Sequence, residues 1–489
     1  MTSVGTDFGG AAMRYGTTMM MVMMAAAAGA VAAPASAAPR AAPGAAPRAG
    51  GDAAAQAQAL DIARRAIAFR SVAGPGNQTP QLAAYLKSVL VAGGFAADEV
   101  TVTPLDDTAY LVARWPGSDR TAKPLVVSGH IDVVEAKPAD WQRDPFTPVV
   151  ENGYLYGRGA TDMKLDAAVT MAALIAMKRD GYRPRRDIVL EFSGDEETRM
   201  KTSAIIAEQL KNAEMVINID GGGGRFGEDG KPQFFTWNGA EKTYADFELT
   251  VTNPGGHSSA PRPLNAINQL SAALVRIGDY RFTPQLSDLT RTFFLEAAKQ
   301  KTGELAAAMR AFAADPTDRK AIATLAADPA YVGQIGTTCV ATMVSGGHAI
   351  NALPQRATAN INCRIFPGVK PADVMATLRQ VAADPAVTIR DVTEGSVAND
   401  ASPMRPDFVA AVTKAMAKTR PGVPVFPSMS AGASDSMWFR YHHVPSYGAS
   451  PTFIKESDDF SHGLNERTPI ENIAPGIAYY RSLFTDLSK

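Results

Sequence analysis

The segment DIVLEFSGDEE, residues 187–197, decides how the fold of this chain is interpreted. It begins as an apolar run typical of a buried strand and ends in adjacent carboxylates. Such carboxylates repel one another and are costly to desolvate, so a positive partner such as a divalent metal is expected beside them. One carboxylate would bind the metal while its neighbour handles the proton of a water. The alternative is an exposed acidic turn before a helix, where acidic side chains are favoured.

Two other apolar runs, residues 124–128 and 215–219, are also followed directly by polar side chains. His130 follows the first run, and Asp220 follows the second. Helical stretches separate the three runs, and this alternation predicts an α/β fold on a largely parallel sheet. Sites in such sheets lie at the carboxyl ends of the strands. The polar side chains after three predicted strands therefore favour a metal site over acidic turns.

A glycine-containing loop, GRGATDMK at residues 157–164, precedes a predicted helix. Asp162 in this loop has two interpretations: it caps the helix, or its two oxygens bridge two metals. His462 lies in another glycine-containing loop and is a candidate ligand, although an isolated loop histidine is more often simply solvated. These alternatives stay open from the residues alone.

From Thr243 onward apolar and polar residues alternate, as in a half-exposed strand. The predicted elements that follow have the order β-α-β-β-α-β if the Ala-rich helical stretch at residues 293–327 is set aside. This predicts a compact α+β unit inserted into the α/β domain. Cys339 and Cys363 lie in two strand-like runs of that unit and would be near neighbours if the runs pair antiparallel. A disulfide and two free buried thiols are both compatible with that arrangement.

The first residues have the pattern of a targeting signal: Arg14, a short Met/Ala/Val run and then Ala35-Ser36-Ala37. We interpret residues 1–37 as a secretory signal peptide, with a single membrane anchor as the alternative, and residues 38–54 as an Ala/Pro-rich linker. The protein is then expected to be exported, periplasmic or secreted. The chain has 489 residues and a net charge of −1, which does not favour nucleic acid as a partner.

Taken together, the motifs resemble the M20 family of metallopeptidases, which includes carboxypeptidase G2, acetylornithine deacetylase, succinyl-diaminopimelate desuccinylase and aminoacylase-1. The Ala-rich insert is similar to the larger inserts of carboxypeptidase S-like members. The resemblance rests on HID at 130–132, GRGATDMK at 157–164, DEE at 195–197, Asp220, GHS at 256–258, NALP at 351–354 and HGLNER at 462–467.

The resemblance implies a hydrolase with two zinc ions, for which Co²⁺ or Mn²⁺ can substitute. The implied ligands are a bridging Asp162, with His130 and Asp220 on one metal and Glu197 and His462 on the other. The resemblance also implies that Glu196 is the general base and that Asp132 is hydrogen-bonded to the His130 ring. In this family the bridging aspartate precedes a cis peptide, which is therefore expected between Asp162 and Met163.

The same resemblance makes the inserted unit a lid that also serves for dimerisation. His257 would reach the site of a partner subunit and stabilise the developing oxyanion. Asn351 and Arg364 would hold the substrate, with Arg364 clasping a carboxylate; the alternative for Arg364 is an ordinary surface arginine. Gly432 would meet the same carboxylate, although the family usually has a second glycine where this chain has Ala433.

The predicted organisation is a catalytic domain of two parts, residues 55–241 and 393–489, interrupted by a lid at residues 242–392. The predicted function is hydrolysis of an amide bond next to a free carboxylate, by a carboxypeptidase or dipeptidase. The alternative is an N-acyl-amino-acid deacylase, so the substrate is a small peptide or an N-acyl amino acid. A non-catalytic binding protein on this fold is a remote alternative, because Glu196 and all the implied ligands are present.

Overall fold

A computed structural model describes residues 52–489. The predicted signal peptide, residues 1–37, and most of the predicted linker lie outside these residues. Helix α1 begins at Ala53 because the Asp52 side chain caps it, with its Oδ1 3.2 Å from the Ala55 backbone nitrogen. The last residues of the predicted linker are therefore helical.

The helices of the described part follow in chain order. They are α1 (Ala53–Ala68), α2 (Thr79–Ala92), α3 (Leu165–Arg179), α4 (Lys201–Gln209), α5 (Ala266–Asp279), α6 (Asp288–Ala297), α7 (Gly303–Ala314), α8 (Arg319–Ala326), α9 (Pro329–Val332), α10 (Pro371–Ala382), α11 (Pro406–Thr419), α12 (Ser436–Tyr441) and α13 (Ile473–Leu487). Across residues 52–489, no helix combines the length and apolar composition needed to span a membrane.

The strands form a large central sheet, a second sheet and two small ribbons. They are β1 (Val100–Leu105), β2 (Thr108–Trp115), β3 (Leu125–His130), β4 (Val149–Glu151), β5 (Tyr154–Tyr156), β6 (Ile188–Ser193), β7 (Met215–Asn218), β8 (Gly223–Phe226), β9 (Pro232–Glu241), β10 (Thr243–Thr252), β11 (Gly256–His257), β12 (Thr338–Gly346), β13 (Ala352–Leu353), β14 (Arg356–Ile365), β15 (Thr388–Asp391), β16 (Val425–Ser430), β17 (Ser446–Gly448), β18 (Phe453–Lys455) and β19 (Arg467–Pro469).

The centre of the large sheet has the strand order β6-β3-β7-β17, and these neighbours are parallel. Helices cover both faces, because the apolar side chains of the buried strands alternate between them. In β3, Leu125 and Val127 belong to the core shared with α1, α3 and α13, whereas Val126 packs with α4 and α12 on the other face. The predicted α/β fold with a largely parallel sheet is confirmed.

The second sheet has the order β12-β14-β10-β15, is antiparallel throughout and has its own core with α5 and α10. Setting aside the helices α6 to α9, its elements follow the order β-α-β-β-α-β that the sequence predicts. Cys339 pairs with Cys363 across β12 and β14, and the two are joined by a disulfide. Of the two alternatives left by the sequence, the disulfide is the one observed.

The inserted helices α6 to α9 share a small apolar core of their own, which includes Phe294, Met309, Phe312 and Leu325. The Ala-rich stretch therefore consists of helices, as its composition predicts.

Candidate metal centre

Strand ends and loops bring six candidate side chains to one edge of the central sheet. His130 ends β3, Glu196 and Glu197 follow β6, and Asp220 follows β7. The loops before α3 and before β19 add the remaining two, which are Asp162 and His462. They form three groups whose nitrogen and oxygen atoms lie within 4.8 Å of one another: His130 with Glu196 and Glu197; His130 with Asp162 and Asp220; and Asp162 with Glu197 and His462.

Asp162 lies between the two histidines. Its Oδ1 is 3.0 Å from Nε2 of His130, and its Oδ2 is 3.1 Å from Nε2 of His462. Each imidazole also faces a second carboxylate, with Asp220 Oδ2 3.8 Å from His130 Nε2 and Glu197 Oε1 3.0 Å from His462 Nε2. The two oxygens of Asp162 thus point into two neighbouring donor sets. The peptide bond that follows Asp162 is cis, as expected from the resemblance.

The loop that carries Asp162 is held by the side chain of Glu466. Oε1 of Glu466 accepts hydrogen bonds from the backbone nitrogens of Thr161 and Asp162, at 2.7 and 3.0 Å. Oε2 accepts from the Gly159 nitrogen at 2.9 Å and from Nη1 of Arg158 at 2.7 Å. Glu466 is fully buried, so these donors replace the water that its carboxylate loses. Glu466 was part of a motif in the sequence, but nothing there indicated this role.

Asp132 connects His130 with the acidic pair. Its backbone carbonyl lies 3.1 Å from Nδ1 of His130, and its carboxylate lies 3.5 Å from the same nitrogen. A carbonyl only accepts, so Nδ1 donates and Nε2 is directed towards Asp162. The Asp132 carboxylate also accepts hydrogen bonds from the backbone nitrogens of Glu196 and Glu197, at 3.1 and 3.0 Å. Asp132 therefore orients a histidine and the acidic pair together.

The third acid of the opening segment has a different environment. Oδ1 and Oδ2 of Asp195 accept hydrogen bonds from the backbone nitrogens of Thr202 and Lys201, both at 2.9 Å, at the start of α4. Asp195 therefore matches the alternative of an acidic side chain at a helix N-terminus. Glu196 and Glu197, in contrast, belong to the candidate metal donor groups.

The electrostatics of the cluster reflect several carboxylates in a buried space. Burial raises the pKa of Glu196 and Asp220 well above the ordinary range and also raises that of Glu197. Burial would lower the pKa of His130, but its hydrogen bonds to Asp132 and Asp162 raise it well above the ordinary value. The raised pKa values mean that these groups hold protons more tightly, which offsets part of the negative charge of the neighbouring carboxylates. Imidazole and carboxylate donors crowded in this way are suited to a divalent metal.

A cavity of about 240 Å³ joins the acidic pair to the second sheet. Glu196 and Glu197 line it on one side, and Arg364 of β14 and Ala433 line it elsewhere. The guanidinium carbon of Arg364 lies 4.8 Å from the centre of the Tyr244 ring. Arg364 is half-buried and lines the same space as Glu196. Gly432 is exposed, next to Ala433.

His257 and Asn351 are not among the three donor groups. His257 lies in β11, which pairs with β13 in a two-stranded ribbon, and Asn351 immediately precedes β13. His257 pairs with Ala352, and the backbone nitrogen of Ser258 donates to the Asn351 carbonyl at 3.1 Å. His257 is exposed, and its Nδ1 accepts a hydrogen bond from the backbone nitrogen of Ser259 at 3.1 Å. Because Nδ1 accepts, the donor nitrogen of the ring is Nε2.

Comparison with known proteins agrees with this geometry. The sequence model of peptidase family M20/M25/M40 matches residues 126–486, which contain the candidate ligands. The chain belongs to this family. It is therefore a hydrolase of the M20 metallopeptidase type, and the predicted resemblance is confirmed.

Individual relatives are distant but cover most of this M20 chain. A probable carboxypeptidase S-like protein of Dictyostelium discoideum is 24% identical over 78% of this chain and 74% of its own length. An N-fatty-acyl-amino acid synthase/hydrolase of Xenopus tropicalis is 28% identical over 75% and 73%. The structure of an M20 family metallo-carboxypeptidase from Sulfolobus solfataricus has a TM-score of 0.67 and 19% identity, covering 88% of this chain and 98% of that one. That likeness establishes the fold.

Proposed function

We propose that this M20 chain is an exported di-zinc hydrolase that cleaves an amide bond next to a free carboxylate, as a carboxypeptidase or dipeptidase. The observation that carries the proposal is the position of Asp162, whose two oxygens face His130 and His462 in separate donor sets. The family match and the carboxypeptidase S-like relative support the reaction type.

The donor sets fit two divalent cations. His130, Asp162 and Asp220 would hold one, and Asp162, Glu197 and His462 would hold the other. Carboxylates that are buried side by side are costly unless cations compensate them, which supports this assignment. When bound, the metals supply Lewis acidity and lower the pKa of a water. We propose zinc, whose usual ligands are of these types, while Co²⁺ and Mn²⁺ accept the same donors.

Glu196 is the proposed general base. It belongs to a group with His130 and Glu197, and its backbone is held by the Asp132 carboxylate. From that position its carboxylate would take a proton from the attacking water and return it to the leaving amine. Asp132 would act by positioning both Glu196 and the His130 ring.

Arg364 is the proposed partner of the substrate carboxylate. It shares a cavity with Glu196, and its planar guanidinium can bind a carboxylate through two hydrogen bonds. A carboxylate bound there would place the neighbouring amide near the general base, which supports cleavage next to a free carboxylate. Asn351 and Gly432 are proposed to add polar contacts to the same substrate.

We propose that residues 242–392 act as a lid and as the interface of a homodimer. The edge strand β12 leaves Val340, Met343 and Val344 exposed, and α5 adds exposed Val275. A second copy that paired with this edge would cover these apolar side chains. His257, which is exposed and has Nε2 as its donor nitrogen, would then serve as the oxyanion donor in the partner's site.

Export is proposed from the N-terminal pattern of residues 1–37. The disulfide between Cys339 and Cys363 supports it, because such bonds persist in oxidising compartments such as the periplasm.

A second candidate function is N-acyl-amino-acid hydrolysis, which the similarity to the N-fatty-acyl-amino acid synthase/hydrolase favours. The test is hydrolysis of a panel of dipeptides and N-acetyl amino acids by the zinc-loaded protein, with and without a chelator. We expect dipeptides to be cleaved and chelation to abolish cleavage. Cleavage of N-acetyl amino acids alone would support the second candidate, and no cleavage of either class would refute both.

A further inference from the structure

One face of the second sheet packs on α5 and α10, and its other face carries polar side chains. On β10 and β14 the half-buried members of this polar face include Tyr244, Asp246, Asn360, Asn362 and Arg364. The antiparallel register places Tyr244 opposite Arg364 and Asp246 opposite Asn362. Side chains that lie opposite one another in an antiparallel pair are neighbours, so these residues form one continuous polar group.

The guanidinium of Arg364 is held in this group by the face of an aromatic ring. Its central carbon lies 4.8 Å from the centre of the Tyr244 ring, which is a cation–π arrangement. Within residues 52–489, the guanidinium takes part in no side-chain hydrogen bond and no salt bridge. Both residues line the cavity beside Glu196. The ring thus fixes the cation without using its N–H groups, and these remain available to a carboxylate in the cavity.

Asp246 is the anion of this group that could pair with Arg364 instead. Its Oδ2 accepts a hydrogen bond from the Tyr244 hydroxyl. Its Oδ1 accepts from Nδ2 of Asn360 at 2.7 Å and from Nδ2 of Asn362 at 3.0 Å. Burial by itself would raise the pKa of Asp246, but these hydrogen bonds lower it below the ordinary value. The carboxylate is therefore ionised and already has three neutral donors.

We propose that Tyr244 is a positioning residue for substrate recognition, whose ring fixes Arg364 and whose hydroxyl, together with the two asparagines, keeps Asp246 from pairing with that arginine. An arginine already paired with an aspartate would have to exchange one carboxylate for another, which gives the substrate little advantage. Tyr244 acts through Arg364 and not on the reacting atoms. The inference rests on the proposed function, in which Arg364 binds the free carboxylate of the substrate.

The first experiment compares Tyr244→Leu with Tyr244→Phe. The zinc-loaded proteins are assayed with alanyl-leucine and with alanyl-leucinamide, which lacks the free carboxylate. Tyr244→Leu removes both the ring and the hydroxyl, so we expect KM for alanyl-leucine to rise about tenfold. We expect kcat and the KM for the amide to stay near the wild-type values, since only binding of the carboxylate is lost. Tyr244→Phe keeps the ring and should raise KM for alanyl-leucine only about twofold.

The double variant Tyr244→Leu/Asp246→Asn separates this role from a purely structural one. Without a carboxylate at residue 246, Arg364 has no competing partner, so KM for alanyl-leucine should return to within about threefold of the wild-type value. If Tyr244→Leu acts only by perturbing the fold, the second substitution leaves KM raised or raises it further, and that result would overturn the inference. The control is Thr358→Leu on the same face of β14, where the side chain has no hydrogen bond to Asp246 and KM should not change.

Asn362→Leu keeps the inference testable if Tyr244→Leu fails to fold. This substitution removes one donor from Asp246 and leaves the ring, so KM for alanyl-leucine should rise about threefold and return to the wild-type value in Asn362→Leu/Asp246→Asn. An unchanged KM in folded, zinc-loaded Asn362→Leu would overturn the inference. The proposed function would survive that result if Arg364→Ala still discriminates against alanyl-leucine relative to its amide. A wild-type protein that cleaves neither substrate would refute the proposed function itself, and the inference with it.

Discussion

Arg158 and Glu466 form an ion pair in which both side chains are buried, with 2.7 Å between Nη1 and Oε2. The same guanidinium donates from Nη2 to the Gly463 carbonyl at 3.1 Å, next to His462. Glu466 in turn holds the backbone of Asp162. The pair therefore connects the loop of the bridging aspartate with the loop of the second histidine, so that the two loops keep a common geometry.

Glu466→Gln should destabilise the protein and weaken metal binding together. The amide nitrogen of glutamine would face donors, and the buried Arg158 would lose its counter-charge, which typically costs about 3–5 kcal/mol. The measurements are the free energy of unfolding from denaturant titration and the zinc dissociation constant. The matched control is Glu471→Gln, which changes an exposed glutamate nearby and should alter neither. Wild-type stability and zinc affinity in Glu466→Gln would contradict the role of the pair.

The ligands at strand ends could be predicted from the sequence because the evidence for them is local. An apolar run of five or six residues followed by His130 or Asp220 identifies a strand and its carboxyl end. The role of Glu466 could not be predicted, because its partner Arg158 is 308 residues away in the chain and only the fold brings them together. The amino-acid sequence around Glu466 does not indicate that this side chain is buried or that it pairs with Arg158.

The disulfide shows the same limit. The sequence places Cys339 and Cys363 in two strands, but their bond requires that β12 and β14 pair with these two residues opposite each other. Both the pairing and the register come from packing against α5 and α10, which no local pattern specifies. The hydrogen bonds of Asp195 to the first backbone nitrogens of α4, which distinguish it from Glu196 and Glu197, likewise could be identified only from the position of α4.

Arg364→Ala should impair substrates that carry a free carboxylate. Without the guanidinium, a carboxylate beside Glu196 has no counter-charge in the cavity, and we expect kcat/KM for a dipeptide to fall by about 100-fold. The corresponding dipeptide amide provides the comparison, because it lacks the charge and should lose much less. Zinc content should stay at the wild-type value. Equal losses for both substrates would show that Arg364 does not recognise the carboxylate.

His257→Ala should reduce the rate without loss of metal. An oxyanion donor acts on the transition state, and its removal typically lowers kcat by about 10²–10³-fold. His257 lies outside the three donor groups, so zinc content should be unchanged. Mixing inactive His257→Ala with inactive Glu196→Gln should restore partial activity if His257 acts across a dimer, because one site then has both residues. A loss of zinc in His257→Ala would identify it as a ligand instead.

Zinc binding to metal-free protein should release protons near neutral pH. Hydrogen bonds to Asp162 and Glu197 raise the pKa of His462 to about 10 in the absence of metal, so the ring is protonated and must lose that proton to bind zinc. Because the pKa is raised on folding, this protonation stabilises the metal-free fold below about pH 6.5, and the contribution disappears as the pH rises through about 10. Titration of zinc into weakly buffered protein with a pH indicator measures the release. His462→Ala should release fewer protons; equal release would contradict the assignment.

Glu196 and Glu197 are neighbours in the chain, but their environments predict different consequences for the same substitution. Glu197 lies 3.0 Å from His462 within a donor group, so Glu197→Gln should weaken one metal site, and added zinc should partly restore the activity. Glu196→Gln keeps the size of the side chain and removes the proton acceptor, so kcat should fall by about 10²–10⁴-fold with zinc still bound. The two variants serve as controls for each other when metal stoichiometry and kcat are measured on both. If Glu196→Gln loses zinc while Glu197→Gln retains it, the two roles are exchanged. If neither substitution changes kcat, the acidic pair has no part in the reaction.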